Sequence, residues 1–280
     1  MKRILVPCDF STPSREAFKF AVDIASKTNG EVTVLHAANI PVLYDPTLGG
    51  ASTIAIDPIL FSEIEKDAKK RFDEMIKDYP SGAIKTSFQL VQGTVISALK
   101  QIIDKQKTDL VIMGNTGASG LHEIFIGSTA EKVVRHSPVP VLAVRTAPEI
   151  GSIKKILLPT TLSLNQSEFI NKVKELMYFF DATLHILLIN TPMNFKTDAE
   201  AKASLEEFIA HYKLNNCKLH FRNSRSAEEG IVKFSHDEQI DLIAMATHAW
   251  KGVVHFFTGS ITEDVVNHIT CPVWTYCLNK

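Results

Sequence analysis

Short apolar runs alternate along the chain with longer segments in which apolar residues recur at helical spacing. This alternation predicts βαβ units around a parallel sheet. The segment 40–58, which holds three prolines and a Gly49-Gly50 pair, predicts a long loop. In the first half the pattern predicts strands at 3–8, 31–37, 85–91, 109–114 and 140–145, and helices at 13–28, 60–78, 95–106 and 128–136.

The pattern then starts again. "KRILVPCDFS" at 2–11 returns as "KKILLPTTLS" at 154–163, and "TDLVIMGNTGASG" at 108–120 returns as "IDLIAMATHAWKG" at 240–252. Self-similarity of this kind indicates an internal duplication, with a boundary in the Pro- and Gly-containing stretch "TAPEIGS". The sequence therefore predicts two domains of the same α/β class, at 1–146 and 153–280.

Composition narrows the class of protein. With 280 residues, 45% hydrophobic and 22% charged, the chain is long enough and apolar enough for two packed domains. The formal net charge of -1 gives no global attraction to nucleic acid or to an acidic membrane. No apolar run is long enough for a signal peptide or a membrane helix. Four scattered cysteines, of which Cys271 and Cys277 are predicted on the last strand, fit a reducing compartment, so we expect a cytoplasmic protein.

One glycine-rich stretch carries the main chemical signal. In "MGNTGASGLHEIFIGST" at 113–129, Gly114 ends the predicted fourth strand and Gly127 precedes the fourth helix. Ser128 and Thr129 fall on the first turn of that helix, where free backbone N–H groups favour an anion such as phosphate. Asp9 ends the first strand and so lies at the same carboxyl edge of the sheet, where open α/β folds bind ligands.

A purely structural role for this stretch stays open on the residues alone. Glycines beside strand ends are often turn residues, and Gly-Ser before a helix is often only a cap. The dinucleotide fingerprint fails because the turn after the first strand, "PCDFSTP", has no glycine, and the Walker motif fails because no Lys precedes Ser128. The histidines follow no metal-ligand spacing, so no metal site is predicted in the protein itself.

The spacing Gly114-x-x-Gly117, nine residues, then Gly127-Ser128 resembles the nucleotide-binding motif of the universal stress protein family. The resemblance extends to the opening "ILVPCDFS", to "VTVLHA" and to "HSPVPVLAVR", and it covers both halves, so the chain looks like a tandem member. It implies a Rossmann-like fold in each half, a five-stranded parallel sheet of order 3-2-1-4-5 flanked by helices. It also implies that the ligand is ATP, with ADP or AMP as alternatives, and that magnesium is bound together with the nucleotide.

The resemblance assigns roles to matching positions. Pro7 and Asp9, with Cys8 between them, would meet the adenosine end, and the Ala37 backbone the adenine edge. Cys8 departs from the small hydroxyl residue common at that position in the family. Ribose and phosphates would meet Met113, Gly114 and Gly117, and the triphosphate would meet Gly127, Ser128 and Thr129.

The second copy differs at these positions. Asp9 is matched by Thr161, Gly114 by Ala246 and Gly117 by Ala249, so we expect a working site in the first half and a degenerate one in the second. Single-domain relatives commonly pair through their last strands. The resemblance therefore implies an intramolecular pseudo-dimer that joins "PVLAVR" to "PVWTYC", and it leaves further homo-oligomerisation open.

Two function classes remain. The favoured one is an ATP-binding sensor or regulator of the stress response with an unidentified protein partner; the alternative is a nucleotide-free tandem scaffold for protein–protein interaction. No catalytic residue is predicted, because the motif fixes no Lys or Arg and no Ser-His pair is evident. At most, slow ATP hydrolysis with help from Asp9 is compatible with the residues. An adenylyl-transfer enzyme would need a pyrophosphate-binding turn after the first strand, which is absent.

Overall fold

The structure is a computed structural model of the whole chain, and it describes residues 1–38, 58–79, 82, 84–115, 128–247, 265 and 268–278. Several residues that the sequence singled out lie outside these ranges, namely the long loop up to residue 57, Gly117, Gly127 and Ala249. The side chains of Ser128 and Thr129 are likewise outside the description.

Strands and helices alternate through both halves, as the hydrophobic pattern predicts. The strands are β1 Arg3–Pro7, β2 Glu31–Ala38, β3 Lys85–Gln92, β4 Leu110–Gly114, β5 Val141–Val144, β6 Lys155–Pro159, β7 Thr183–Asn190, β8 Cys217–Asn223, β9 Leu242–Thr247 and β10 Val273–Cys277. The helices are α1 Thr12–Thr28, α2 Pro58–Asp78, α3 Val95–Gln106, α4 Ser128–His136, α5 Ser167–Phe180, α6 Asp198–Tyr212 and α7 Ala227–Asp237.

All ten strands form one sheet, in the order β3-β2-β1-β4-β5-β10-β9-β6-β7-β8. Each half has the order 3-2-1-4-5 with parallel pairing inside it, which confirms the predicted topology. The halves meet through β5 and β10, which pair antiparallel with Leu142 opposite Trp274. The predicted pseudo-dimer through the last strands is therefore present. Because this pairing is antiparallel, the carboxyl edges of the two halves lie at opposite ends of the sheet.

The sheet is buried on both faces, as expected where helices cover a parallel sheet and the strands read as continuous apolar runs. One face packs against α1, α2, α5 and α6, and its core includes Phe18, Phe72, Phe169 and Phe208. The other face packs against α3, α4 and α7. Among the helices that the structure describes, none is both long and apolar enough to cross a membrane.

Helix α1 contacts both the linker between the halves and α5. Glu16 on α1 accepts a hydrogen bond from the Ala147 amide at 2.8 Å, just beyond β5. Lys27 at the end of α1 donates to the Phe179 carbonyl of α5 at 2.9 Å, and its ammonium lies 4.8 Å from the Phe179 ring centroid. The first helices of the two halves thus contact each other across the seam.

The predicted element bounds agree with the structure to within two residues in the first half, but one prediction about the last strand is wrong. The strand β10 begins at Val273, so Cys271 precedes it and does not share a strand face with Cys277. Pro272 stands between them, and proline favours strand starts because it lacks the N–H that the ladder requires. Both cysteines are free thiols.

The seam makes a prediction about stability. Trp274 is 3% exposed and packs in the core beside β5, so Trp274→Ala should lower the free energy of unfolding by about 3–5 kcal/mol through lost burial and the cavity left behind. Urea denaturation followed by far-UV circular dichroism measures this change. The matched control is Tyr178→Ala, an aromatic truncation at a position 91% exposed, where a change within about 0.5 kcal/mol is expected. Equal effects of the two substitutions on the free energy of unfolding would show that Trp274 at the β5–β10 seam stabilises the protein no more than an exposed aromatic residue does.

Candidate functional site

The turn after β1 has an unusual backbone that its own side chains stabilise. Phe10 has φ 64, in the left-handed region that a bulky residue rarely adopts. The Phe10 amide donates to Cys8 Sγ at 3.4 Å, and the Phe10 side chain is buried at 8% exposure. A side-chain acceptor two residues back therefore holds the turn, and burial of the ring offsets the strain.

This turn brings Asp9 to the surface at the carboxyl edge. Its Oδ1 accepts the Ser11 amide at 3.0 Å and the Ser11 hydroxyl at 2.5 Å. Burial acts to raise the pKa of the Asp9 carboxyl, but hydrogen bonds from Ser11 and Ser14 outweigh it and hold the pKa below its ordinary value. Asp9 is therefore an ionised carboxylate at neutral pH, able to accept hydrogen bonds from hydroxyl groups.

The end of β2 lies directly against the same turn. The Cys8 amide donates to the Leu35 carbonyl at 2.8 Å, and His36 Nδ1 lies 2.7 Å from the Cys8 carbonyl. Because that carbonyl can only accept, His36 carries its proton on Nδ1 in this contact. The His36 side chain lies on the α2 side of the sheet, with its ring centroid 5.1 Å from that of Phe10. Ala37, the next residue, follows on the opposite side, as strand alternation requires.

Gly114 meets a protein neighbour on the side where a side chain would project. A Cβ built on Gly114 would lie 2.5 Å from the Pro13 carbonyl carbon and 2.6 Å from the Ser14 nitrogen. Both atoms are backbone atoms of α1, so they cannot move aside without shifting the helix. The sequence pattern suggested ligand approach as the reason for this glycine. The structure adds a second reason, which is the close packing of α1 against β4.

A cavity of about 210 Å³ opens between these segments. Its described lining comes from the β1 turn, the start of α1, the end of β2, the end of β4 and the starts of α3 and α4. Of the predicted residues, it unites Pro7, Cys8, Asp9, Ala37, Met113 and Gly114. Further lining residues that the sequence prediction did not include are Ser11, Pro13, Ser14, Leu35, His36, Val95 and Ala130.

The missed residues had a partial signal in the sequence. Ser11, Pro13 and Ser14 stand at the start of the predicted first helix, and a helix that begins at the carboxyl edge places its first turn beside a ligand bound there. Val95 follows Thr94, the N-cap of α3, whose Oγ1 accepts the Ser97 amide at 3.3 Å. The sequence gives no signal for His36. Its side chain points to the face of β2 opposite to Ala37, yet it still reaches the cavity at the end of the strand.

The turn after β6 in the second half has the same backbone conformation as the turn after β1, but it lacks the carboxylate. Leu162 has φ 63, matching Phe10, and its amide donates to Thr160 Oγ1 at 2.9 Å, as the Phe10 amide donates to Cys8. Thr161 stands in the place of Asp9 and is exposed. The backbone scaffold is therefore retained while the carboxylate is lost.

A larger side chain also occupies the equivalent cavity wall. Ile189 on β7 stands at the position of Ala37, and Gly230 on α7 stands at the position of Ala98 on α3. A Cβ on Gly230 would lie 2.8 Å from Ile189 Cδ1 and 3.0 Å from Ile189 Cγ2. The isoleucine therefore packs against the bare Cα of the helix, in space that the first half leaves open.

Helix α5 also starts further along the chain than α1. The duplication matches Thr12 to Leu164, whereas α5 begins at Ser167, three residues later. Aromatic residues fill this region of the second half: the Phe169 ring centroid lies 6.1 Å from that of Trp274 and 6.2 Å from that of Tyr276. The Tyr276 hydroxyl donates to Glu168, beside the start of α5. With the helix start displaced, β9 can carry Ala246 where β4 requires Gly114.

Comparison with known proteins agrees with the duplication. The model of the universal stress protein family matches residues 1–145 and again 152–276. A universal stress protein of Methanocaldococcus jannaschii, MJ0531, is 31% identical over 145 residues, which is 51% of this chain and 82% of that protein. Slr1230 of Synechocystis is 22% identical and is covered over its whole length, with 99% of this chain. The crystal structure of a universal stress protein from Archaeoglobus fulgidus superposes with a TM-score of 0.74 at 19% identity, covering 99% of this chain and 98% of that one.

The Ile189–Gly230 contact predicts coupling between the two positions. Gly230→Ala should destabilise the chain by about 1–3 kcal/mol, because the added methyl has to displace Ile189. In an Ile189→Ala background the same change should cost less, since that half then resembles the Ala37–Ala98 pair of the first half. A double-mutant cycle by urea denaturation measures the coupling energy, expected at about 1 kcal/mol or more. Strict additivity would show that the isoleucine does not fill this space.

The hydrogen bonds to Asp9 predict the direction of its titration. Ser11→Ala should raise the pKa of Asp9 toward its ordinary value, because it removes one of the donors that stabilise the carboxylate. Since the folded pKa is lowered, the Asp9 contribution to stability is present above the unfolded pKa and is lost as the pH falls through the folded pKa. Carboxyl NMR titration gives the value, and Ser163→Ala, the equivalent change in the second half, should leave the pKa of Asp9 unmoved. An unchanged pKa of Asp9 in Ser11→Ala would show that the Ser11 hydroxyl does not stabilise the carboxylate.

Proposed function

The chain belongs to the universal stress protein family in a tandem arrangement, and on that premise we propose that its first half binds ATP and acts as a nucleotide-dependent sensor or regulator. ADP or AMP are the alternative nucleotides. We also propose that the chain divides into two domains, at 1–146 and 153–280, and that the protein is cytoplasmic. The single observation that carries it is the cavity that joins an ionised carboxylate to apolar walls at the carboxyl edge of the first half.

The apolar part of the cavity suits a purine base. Leu35, Val95 and Met113 line it, and the small side chain of Ala37 leaves the β2 backbone accessible. Ligand sites of this kind combine predominantly apolar walls with a few polar groups that fix orientation. An adenine ring would gain from burial against these walls, and its edge could hydrogen-bond the strand backbone as the family resemblance implies.

The polar part suits a ribose and a phosphate chain. The Asp9 carboxylate can accept hydrogen bonds from ribose hydroxyls, because a carboxylate is acceptor-only when ionised. Helix α4 begins at Ser128 at the same edge, and Ala130 in its first turn lines the cavity. The first turn of a helix offers unpaired N–H groups and a positive dipole end to an anion. Magnesium bound to the phosphates would offset their charge.

The second half supports the proposal by contrast. There Thr161 replaces the carboxylate and Ile189 occupies the position of Ala37, so both the polar anchor and the open wall are changed together. A site retained for architecture alone would have no reason to keep Asp9 and the open wall in one half only. We therefore propose one nucleotide site per chain, in the first half.

Isothermal titration of the full-length protein with ATP and magnesium tests this proposal. We expect one site per chain. Asp9→Ala should weaken binding roughly 10- to 100-fold, because hydrogen bonds to a charged group contribute about 1.5–3 kcal/mol. Thr161→Ala, the matched substitution in the second half, should change nothing. Gly114→Ala is a poorer choice, because its clash with the α1 backbone would move the helix as well as the site.

Four outcomes would contradict the proposal. Two equivalent sites would refute the asymmetry, and equal effects of Asp9→Ala and Thr161→Ala would place the nucleotide elsewhere. No binding, together with no adenine nucleotide released from the denatured purified protein in mass spectrometry, would favour the nucleotide-free scaffold. Phosphate release over many turnovers that Asp9→Ala abolishes would instead assign an enzyme.

A further inference from the structure

A buried histidine and a half-buried histidine on neighbouring strands of the second half are hydrogen-bonded to each other. His185 on β7 is 2% exposed, and its Nδ1 lies 3.2 Å from Nε2 of His220 on β8. The ring centroids are 5.0 Å apart and the planes are inclined by only 13°. With a ring-to-ring nitrogen distance this short and the planes nearly parallel, the contact is a hydrogen bond between imidazoles. We call these two residues the histidine pair.

The pair lies at the outer edge of the sheet. Strand β8 is the last strand on that side, so its backbone ladder is made with β7 alone. On the helix side the His220 ring centroid lies 4.7 Å from that of Phe234 on α7. The histidine pair thus links β7, β8 and α7 at a place where β8 has no second neighbouring strand.

The charged groups around the pair are mostly positive. They are Lys155 on β6, Lys218 and Arg222 on β8, and Glu238 at the C-cap of α7. Glu238 opposes the cations: after burial it is the largest influence on the pKa of His220, which it raises, and it lies 3.9 Å from Arg222. Burial first, and then His220, Lys218 and Lys155, lower the pKa of His185 to about 4, and burial also lowers the pKa of His220.

The proton balance of the pair follows from its geometry. With both rings neutral, one N–H donates to the lone pair of the other ring. One added proton is compatible with the bond, because a charged ring can donate to a neutral one. A second proton places an N–H on both facing nitrogens, which removes the acceptor and leaves two cations at 3.2 Å among lysines. The pair therefore tolerates one added proton and breaks with two.

The first half has no such group at the equivalent position. His185 corresponds to Thr33, whose Oγ1 lies 3.1 Å from Ser87 Oγ and 3.1 Å from Gln106 Oε1. None of these three side chains titrates between pH 4 and 8. The contact between the outer two strands of the first half therefore carries no group that titrates in this range, unlike the histidine pair.

We propose that the histidine pair is an acid-responsive device that opens the outer edge of the second half, β8 with α7, when both rings are protonated. In the open state His185 regains an ordinary pKa near 6.5, so opening takes up protons as the pH falls. The opening constant rises from about pH 6.5 downward and levels off near the folded pKa of about 4. This device is independent of nucleotide binding in the first half.

Amide hydrogen exchange of the full-length protein, corrected for the intrinsic pH dependence of exchange, tests the proposal. Between pH 7.5 and 5.0 the opening constant of the β8 amides should rise by about 30-fold, the ratio set by a pKa change from 6.5 to about 4. The amides of β3, the equivalent strand of the first half, should not change. NMR of the imidazole protons should show His185 titrating well below the ordinary histidine pKa of about 6.5.

Variants separate this device from general acid sensitivity. His185→Thr combined with His220→Gln introduces the residues that the first half carries at the matching register, Thr33 and Gln89, and should abolish the acid response of β8. His236→Gln is the control and should keep it. An acid response that survives in the double variant, or an ordinary pKa for His185 in the native protein, would overturn the proposal. If the double variant fails to fold, the imidazole titration and the β8 exchange of the unsubstituted protein still decide.

Discussion

How closely the first helix of each half approaches its fourth strand is the constraint on which the site depends. In the first half the backbone of Pro13 and Ser14 lies where a Gly114 side chain would project, at 2.5–2.6 Å from a built Cβ. That approach places the first turn of α1 beside the end of β4, so Pro13, Ser14 and Gly114 line the same cavity as Asp9. The absence of a side chain at Gly114 therefore decides how closely α1 forms this wall of the cavity.

The second half shows what happens when the constraint is released. Ala246 replaces the glycine, α5 begins three residues later, and aromatic side chains fill the region around its start. The turn after β6 keeps the left-handed residue and its side-chain acceptor, because that turn is needed to lead from strand to helix in both halves. Both halves therefore retain the backbone geometry of this turn, and only the first half retains the carboxylate.

The antiparallel β5–β10 pair turns two domains into one sheet, and it leaves β3 and β8 as the outer strands. Each outer strand is linked to its neighbour by side chains at equivalent positions, but with different chemistry. Hydroxyl and amide groups join β2 and β3 at Thr33, whereas two imidazoles join β7 and β8 at His185. The duplicated scaffold thus carries the cavity beside Asp9 in one half and the histidine pair in the other.

The sequence by itself determined the duplication, the order of the strands through the family resemblance, and the first-half element bounds to within two residues. These are properties of local periodicity and of turn residues, which act over a few positions. It also located Asp9 and Gly114 at one edge, because parallel strands end together. The tertiary structure alone decided that Gly114 serves the docking of α1, that Ile189 packs against Gly230, and that His185 meets His220. Each of these depends on distances between residues far apart in the chain, which packing fixes and sequence spacing does not.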